Sequence, residues 1–346
     1  MKITHIHIER FRGFQNEDFE VGSLLTAIAG QNGTQKSTLL GIITQTFTLK
    51  TEDSMRVEKP LCGGSYISAF KDKFRLSPTF DKPKGHEWTI SFDAGMDDFT
   101  VESIKRTGDP NVRFWKKGAR QEGDGYISFP TIFLSLKRLV PVAEEAKIIT
   151  DDTLLTQEEL NEFKQLHNKI LIAQTPISSA TTITSKNKQS IGVSTELYDW
   201  NQNSMGQDNL GKIILALFSF KRLHDKYPRQ YKGGILAIDE MDATMYPASQ
   251  VELLKVLRKY ASKLNLQILF TTHSMSLLKA MDDLVQEVTK KEETANQAKI
   301  LYLKKVDDKI AIKQGVNFKG IQLDLNVVAE GNNRKKNRIT AYTEDK

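Results

Sequence analysis

The chain has 346 residues, of which 39% are hydrophobic and 27% charged, with a formal net charge of +6. This balance allows one large globular domain or two modest ones, and no apolar run approaches the roughly 18–20 residues of a membrane span. The lone cysteine, Cys62, excludes an internal disulfide framework and fits a reducing cytoplasm. The basic surplus permits nucleic-acid contact without requiring it. Its local clusters are residues 104–106, 115–120 and 332–338.

Residues 3–8, "ITHIHI", alternate apolar and polar and predict a strand. "FRGFQNEDFEVG" predicts a turn and a second strand. "LLTAIAG" (24–30) is a continuous apolar run ending at a glycine, as in a buried parallel strand. A glycine-rich loop follows, and "KSTLLGIITQTF" then has helical spacing. Residues 50–85, rich in Gly, Pro, Ser and Lys, predict an irregular insertion. "HEWTISFDA", "DFTVESIKR" and "VRFWKKG" predict antiparallel strands with turns at Gly95 and "GDP". "YISFPTIFLSL" (126–136) predicts one buried strand.

Residues 156–174 predict a helix opened by a Thr156/Glu159 capping box, with Leu160, Phe163, Leu166 and His167 on one face. Residues 175–196 are Ser/Thr-rich and predict a loop. An apolar helix (209–227), a buried strand "GGILAIDE" (233–240) and a helix starting at Pro247 (247–264) follow. The strand "LQILFTTHS" (266–274) and a hairpin around the Asp307–Asp308 turn (299–314) complete the pattern.

Four stretches carry chemistry. Backbone N–H groups of Gly30–Ser37 and of the helix behind them suit the β- and γ-phosphates of a nucleotide. Lys36 would neutralise those phosphates and the Ser37 hydroxyl would ligate Mg²⁺. Gln35 breaks the strict loop pattern, which has glycine before the lysine. "ILAIDE" carries Asp239, suited to holding Mg²⁺, and Glu240, suited to polarising a water, to the end of a buried strand. "FTTHS" puts His273 at the next strand's tip, as a donor to the γ-phosphate. "NSMGQDN" (203–209) opens a helix with Ser204 and Gly206, a second anion site that a two-fold-related copy can offer to its partner's nucleotide.

This ordered set, "GQNGTQKST", "NSMGQD", "ILAIDEMDAT" and "FTTHS", resembles the ABC-type ATPase head of the SMC/RecF class over residues 1 to about 280. The opening "ITHIHIERFRGF" is similar to that class's first strands. The resemblance implies an α/β fold: a P-loop core sheet, parallel or mixed, with an antiparallel β subdomain and a helical signature subdomain. It implies a domain over 1–330, with a β-rich insertion at 50–130 and a helical signature segment at 143–210, then a basic tail at 331–346.

By this resemblance Gly30–Thr38 is the Walker A loop, so that Asn32, Gly33, Thr34, Gln35, Lys36, Ser37 and Thr38 contact ATP. Ser204, Gly206 and Gln207 belong to the signature loop, and Ile235–Glu240 is Walker B with Asp239 and Ser37 on Mg²⁺. Met241–Ala243 is the D-loop, and Glu240 and His273 are catalytic. "DEMDATMYP" and "FLSLKRLVP" are most similar to prokaryotic defence ATPases, namely the ATPase half of overcoming-lysogenization-defect (OLD) nucleases and the PtuA ATPase of Septu and retron systems.

The chain departs from the class at Gln35, at "SMGQ" in place of "SGGQ", and at the magnesium-contacting Q-loop glutamine. The segment after strand 126–134 offers Ser135 and Lys137 in that place. A compact 143–200 segment stands where a long coiled-coil arm would be. The end "NRITAYTEDK", with Glu344 and Asp345, resembles the entry to a Toprim nuclease domain or is only a tail.

The expected function is slow ATP hydrolysis by a homodimer closed around two nucleotides. Its partner would be a nuclease, HNH or Toprim, acting in trans or on a further C-terminal domain, with no membrane involved. Two alternatives stand beside it. A RecF-like DNA-repair ATPase would show salt-dependent DNA binding through residues 104–120 and 332–338. An ATP-binding scaffold would show no turnover.

Overall fold

A computed structural model describes residues 1–66, 70–77, 79–93, 95–105, 112–119, 124–139, 148–151, 154–173, 175–184 and 189–331. The tail 332–346, with its basic cluster, Glu344 and Asp345, lies outside the described residues, as do the "GDP" turn, Arg106 and Arg120.

A six-stranded sheet forms the centre, in the order Lys309–Lys313, Ala298–Val306, Leu25–Gly30, Leu266–Thr272, Gly234–Ile238, Thr131–Leu134. Its five inner pairings are parallel except at the edge hairpin, where Val306 faces Lys309 across an antiparallel ladder. The continuous apolar runs are explained by burial on both faces. Leu25, Ala27 and Ala29 point into one core and Ile28 into the other, and Leu236 and Ile238 alternate in the same way with Ile235 and Ala237.

The first core is roofed by the long helices Met205–Lys226, Pro247–Lys263 and Met275–Val288. The second is closed by the helix Lys36–Thr44 and a five-stranded antiparallel sheet. That sheet runs Phe14–Glu20, Ile3–Phe11, Glu87–Phe92, Phe99–Lys105, Val112–Lys116. Phe11, Phe74, Trp88 and Phe114 pack edge to face or tilted beneath it, with ring centroids 5.1–5.7 Å apart. Each such fully buried side chain contributes roughly 1.5–3 kcal/mol of transfer free energy.

Three expectations change. The predicted strand 126–136 is two short strands in different sheets. Ile127–Ser128 pairs with Phe47–Thr48, and Thr131–Leu134 joins the central sheet. Pro130 between them has no N–H to give a ladder. The predicted loop 175–196 contains a hairpin, Ser179–Thr184 against Gln189–Ser194, with Ile149–Asp151 on its outer edge. Its hydroxyl-rich composition hid a β-branched pattern in which Ile183, Ile191 and Val193 are buried. Among the described residues of 143–210, this hairpin stands beside the helix Gln157–Leu171 and the start of the helix Met205–Lys226. The helices Met275–Val288 and Phe318–Gly331 had no counterpart in the sequence reading. No helix among the described residues is long and apolar enough to cross a membrane.

Candidate functional site

The parallel strands end on one edge of the sheet, which is where ligands bind in open α/β sheets. Gly30, Leu134, Ile238 and Thr272 are the last residues of four adjacent strands. The loop after Gly30 therefore faces the acids after Ile238, across the strand that ends before His273.

The loop is built for close approach. A Cβ on Gly30 would sit 2.5 Å from the Leu303 carbonyl oxygen and 2.8 Å from Thr34 Oγ1, so only glycine fits. Thr34 Oγ1 donates back to the Gln31 carbonyl at 2.8 Å and closes the turn. Gln35 is the N-cap of the helix Lys36–Thr44, at φ 61°, ψ 32°. This is the left-handed region that glycine adopts without strain. Its carbonyl accepts from Leu39 N–H at 3.0 Å, so the helix starts normally. Its side chain turns towards the first hairpin: a Cβ on Gly13 would lie 2.9 Å from Gln35 Nε2 and 2.7 Å from Ile310 Cγ1. Gln35 Oε1 is buried and has no hydrogen-bond partner.

Lys36 is 7% exposed and donates to the carbonyls of Gly30 (3.0 Å) and Gln31 (2.9 Å). Burial lowers its pKa, and the nearby carboxylates of Glu240, Asp239 and Asp242 offset part of that shift. Ser37 Oγ donates to Asp239 Oδ1 at 2.8 Å, although 202 residues separate them. Thr271 Oγ1 donates to the same oxygen at 2.7 Å and accepts from Glu240 N–H at 2.6 Å. Asp239 is 6% exposed; Glu240 has φ 49°, a second non-glycine residue in left-handed backbone. Asn32, Gly33 and His273 are exposed, the last just beyond its strand.

At the other end of the acid strand's connection, Ser204 caps the helix Met205–Lys226. Its Oγ accepts from Gln207 N–H, and Gln207 Oε1 accepts from Ser204 N–H at 2.8 Å, completing a capping box. Gln207 Nε2 is held by Tyr198 Oη at 2.7 Å. A Cβ on Gly206 would meet the Thr244 carbonyl oxygen at 2.5 Å, so this helix turn rests directly on the loop after Glu240. Leu197, Met205 and Tyr246, near these motifs in the chain, are exposed apolar side chains.

Lys36, Ser37, Asp239 and Glu240 thus come together within the chain, with His273 on the adjacent strand end, while Thr38 Oγ1 accepts from Arg12 at 3.5 Å. Ser204 is exposed and Gln207 half-buried, and their side chains bond each other's backbone N–H groups rather than the phosphate loop. Sequence reasoning missed Arg138. It proposed Ser135 and Lys137 at that place, yet Lys137 is exposed while Arg138 is 2% exposed. Arg138 bonds Asn209, Leu134, Ser135 and the Glu240 carbonyl. Burial lowers its pKa to about 10 against the pull of the three neighbouring carboxylates. The Lys137–Arg138 pair set between Leu136 and Leu139 in "SLKRLV" was the available signal.

A profile of the AAA ATPase domain family matches residues 137–278, a stretch that includes Ser204, Asp239, Glu240 and His273 but not the phosphate loop. Among solved structures, an SMC head bound to the C-winged helix domain of ScpA is 14% identical, covering 93% of this chain and 100% of that one at a TM-score of 0.53. The SMC head domain from Thermotoga maritima is also 14% identical, covering 91% and 100% at 0.49. An SMC head from Pyrococcus furiosus with an extended coiled coil, bound to the C-terminal domain of ScpA, is 11% identical, covering 95% and 99% at 0.48. No curated protein matches the sequence. At these identities the first of the three likenesses is one of fold. The chain has the α/β fold of an ABC-type, SMC/RecF-like ATPase head, and residues 137–278 match the ATPase domain.

Proposed function

We propose that this head binds and slowly hydrolyses Mg²⁺-ATP at the sheet's carboxyl edge, as a homodimer closed around two nucleotides. The observation that carries the reading is the Ser37 Oγ–Asp239 Oδ1 bond of 2.8 Å, with Lys36 in the field of Glu240 and Asp239. A hydroxyl and a carboxylate that already meet offer two hard oxygen donors of the kind Mg²⁺ prefers. Ser37 and Asp239 would hold the ion, which supplies charge neutralisation at the phosphates.

The chain's own groups do the rest. The amides of Asn32, Gly33, Thr34, Gln35, Lys36, Ser37 and Thr38 bind the phosphate oxygens. Lys36 Nζ exchanges the Gly30 and Gln31 carbonyls for the β- and γ-phosphates. Glu240 orients a water for in-line attack, and His273 donates to the γ-phosphate. Ser204, Gly206 and Gln207 serve the second copy's nucleotide, which fits a capped helix end whose Ser204 and Met205 are exposed.

Slow turnover is supported by Gln35, which holds left-handed backbone where the class has glycine and lays its side chain beside Gly13 of the first hairpin. The nuclease partner and the anti-phage setting rest on the likeness of "DEMDATMYP" and "FLSLKRLVP" to defence ATPases, and the cytoplasmic location on the lone Cys62.

The test is ATP binding, phosphate release and sedimentation with Mg²⁺-ATP for the wild type, Lys36→Ala and Glu240→Gln. Lys36→Ala is expected to lose binding. Glu240→Gln is expected to bind, dimerise and stop hydrolysing. A Lys36→Ala variant indistinguishable from wild type would sink the reading. Equal phosphate release by wild type and Glu240→Gln would convert it to a scaffold.

A further inference from the structure

Glu240 is held at both ends of its backbone by side chains from elsewhere in the chain. Its N–H donates to Thr271 Oγ1 (2.6 Å), and its carbonyl accepts from Arg138 Nη2 (2.8 Å) across 102 residues. Left-handed backbone is costly for any residue with a Cβ and persists where the surroundings over-determine it. Here they do, since φ is 49° and both polar groups are fixed.

Arg138 is itself fixed. Its Nη1 donates to the carbonyls of Leu134 (3.2 Å) and Ser135 (3.1 Å), and its Nε to Asn209 Oδ1 (2.7 Å). Asn209 is fully buried, and its Nδ2 donates to the Ala243 carbonyl at 2.9 Å. Asn209 lies in the helix capped by Ser204, five positions after the cap. Two side chains therefore join three places that sequence alone keeps apart: the end of strand Thr131–Leu134, the helix behind Ser204, and both ends of the Glu240–Ala243 turn.

We infer that Arg138 and Asn209 are positioning residues for hydrolysis: they clamp the Glu240–Ala243 turn so that the Glu240 carboxylate points at the phosphate loop. The inference rests on the ATPase reading above and goes beyond it by assigning residues that touch neither nucleotide nor water. Only a planar guanidinium fits the role, because its forked donors reach four acceptors in fixed directions. A lysine would keep the charge and lose the fork. The clamp also runs from the Ser204 helix to the acid, so a shift of that helix on meeting a second copy's nucleotide passes to Glu240 through two side chains.

The experiment measures kcat, KM and ATP dissociation constants for the full chain as wild type, Arg138→Lys, Asn209→Ala and the double variant. Misplacing a catalytic group by about 1 Å costs about 100-fold. Arg138→Lys is expected to lower kcat by about 10–100-fold while ATP binding stays within about threefold. Asn209→Ala is expected to lower kcat by a smaller factor. The double variant is expected to match Arg138→Lys alone, since both act on one turn. Thermal melting checks that each variant folds, and Asn209→Ala decides the matter if Arg138→Lys does not fold.

Unchanged kcat in the folded variants overturns the inference. So does a fall in kcat matched by an equal loss of ATP binding, which marks a merely structural prop. A wild type that binds ATP without turnover overturns the hydrolysis reading and this inference together. A wild type that turns over beside variants of normal kcat overturns the inference alone.

Discussion

Gln35→Gly is the substitution whose outcome says most about this phosphate loop. The wild-type residue carries two costs visible in the structure. Its backbone sits at φ 61°, ψ 32°, which costs a residue with a Cβ about 1–2 kcal/mol. Its Oε1 is buried without a partner, which costs about 1–3 kcal/mol. Glycine removes both. Against that, a glycine gives the unfolded chain more freedom, about 0.5–1 kcal/mol. The side chain's two methylenes also leave their packing beside Gly13 and Ile310, at about 0.8 kcal/mol each. The central values leave a gain of about 1 kcal/mol, or a melting temperature higher by about 2 °C. Freed from the first hairpin, the loop can follow the phosphates through the reaction, and phosphate release at saturating Mg²⁺-ATP should quicken. Scanning fluorimetry without nucleotide reads the first effect and a coupled phosphate assay reads the second. A variant that melts no higher refutes the strain argument. One that hydrolyses no faster refutes the claim that Gln35 slows turnover.

Two further outcomes follow from buried groups. His167 is 1% exposed, and burial lowers its pKa from 6.5 to about 4 against a smaller opposing pull from the Asn168 side chain. The folded state thus favours the neutral ring, and the stability it confers is complete above pH 6.5. It falls as the pH drops from 6.5 to about 4, where the unfolded chain alone takes up the proton. The loss is about 2 kcal/mol at pH 5, and His167→Leu should flatten that part of the profile. Urea midpoints of both proteins at pH 7 and pH 5 check it, and equal pH dependence would contradict it. Gly206→Ala would drive a methyl to 2.5 Å from the Thr244 carbonyl oxygen. It should cost about 1–3 kcal/mol and, by displacing the turn after Glu240, slow hydrolysis more than it weakens ATP binding. A wild-type melting temperature in that variant would show that the contact yields freely.

The strands and helices that bound the candidate site were legible because their signals are local. Continuous apolar runs marked "LLTAIAG" and "GGILAIDE" as strands buried on both faces, and their ends fixed where Lys36, Ser37, Asp239 and Glu240 begin. The Thr156/Glu159 capping box was read from two residues three apart and is formed as read. Misreadings came where local signals conflict. Hydroxyl-rich "SATTIT" and "QSIGVS" gave loop composition while their β-branched residues paired as a hairpin. Pro130 divided a run that apolar content alone joined.

By itself the sequence determined the order of elements, the chemical types at each strand end and the oddity of Gln35, all written in neighbouring residues. Tertiary structure alone decided which of those ends meet. The Ser37–Asp239 bond closes over 202 residues, and Arg138 reaches Asn209 over 71 and Glu240 over 102. It also decided that Gln35 and Glu240 both take left-handed backbone, Glu240 under long-range bonds that hold it there. Such contacts depend on how strands are ordered in the sheet, and strand order leaves no trace in local periodicity.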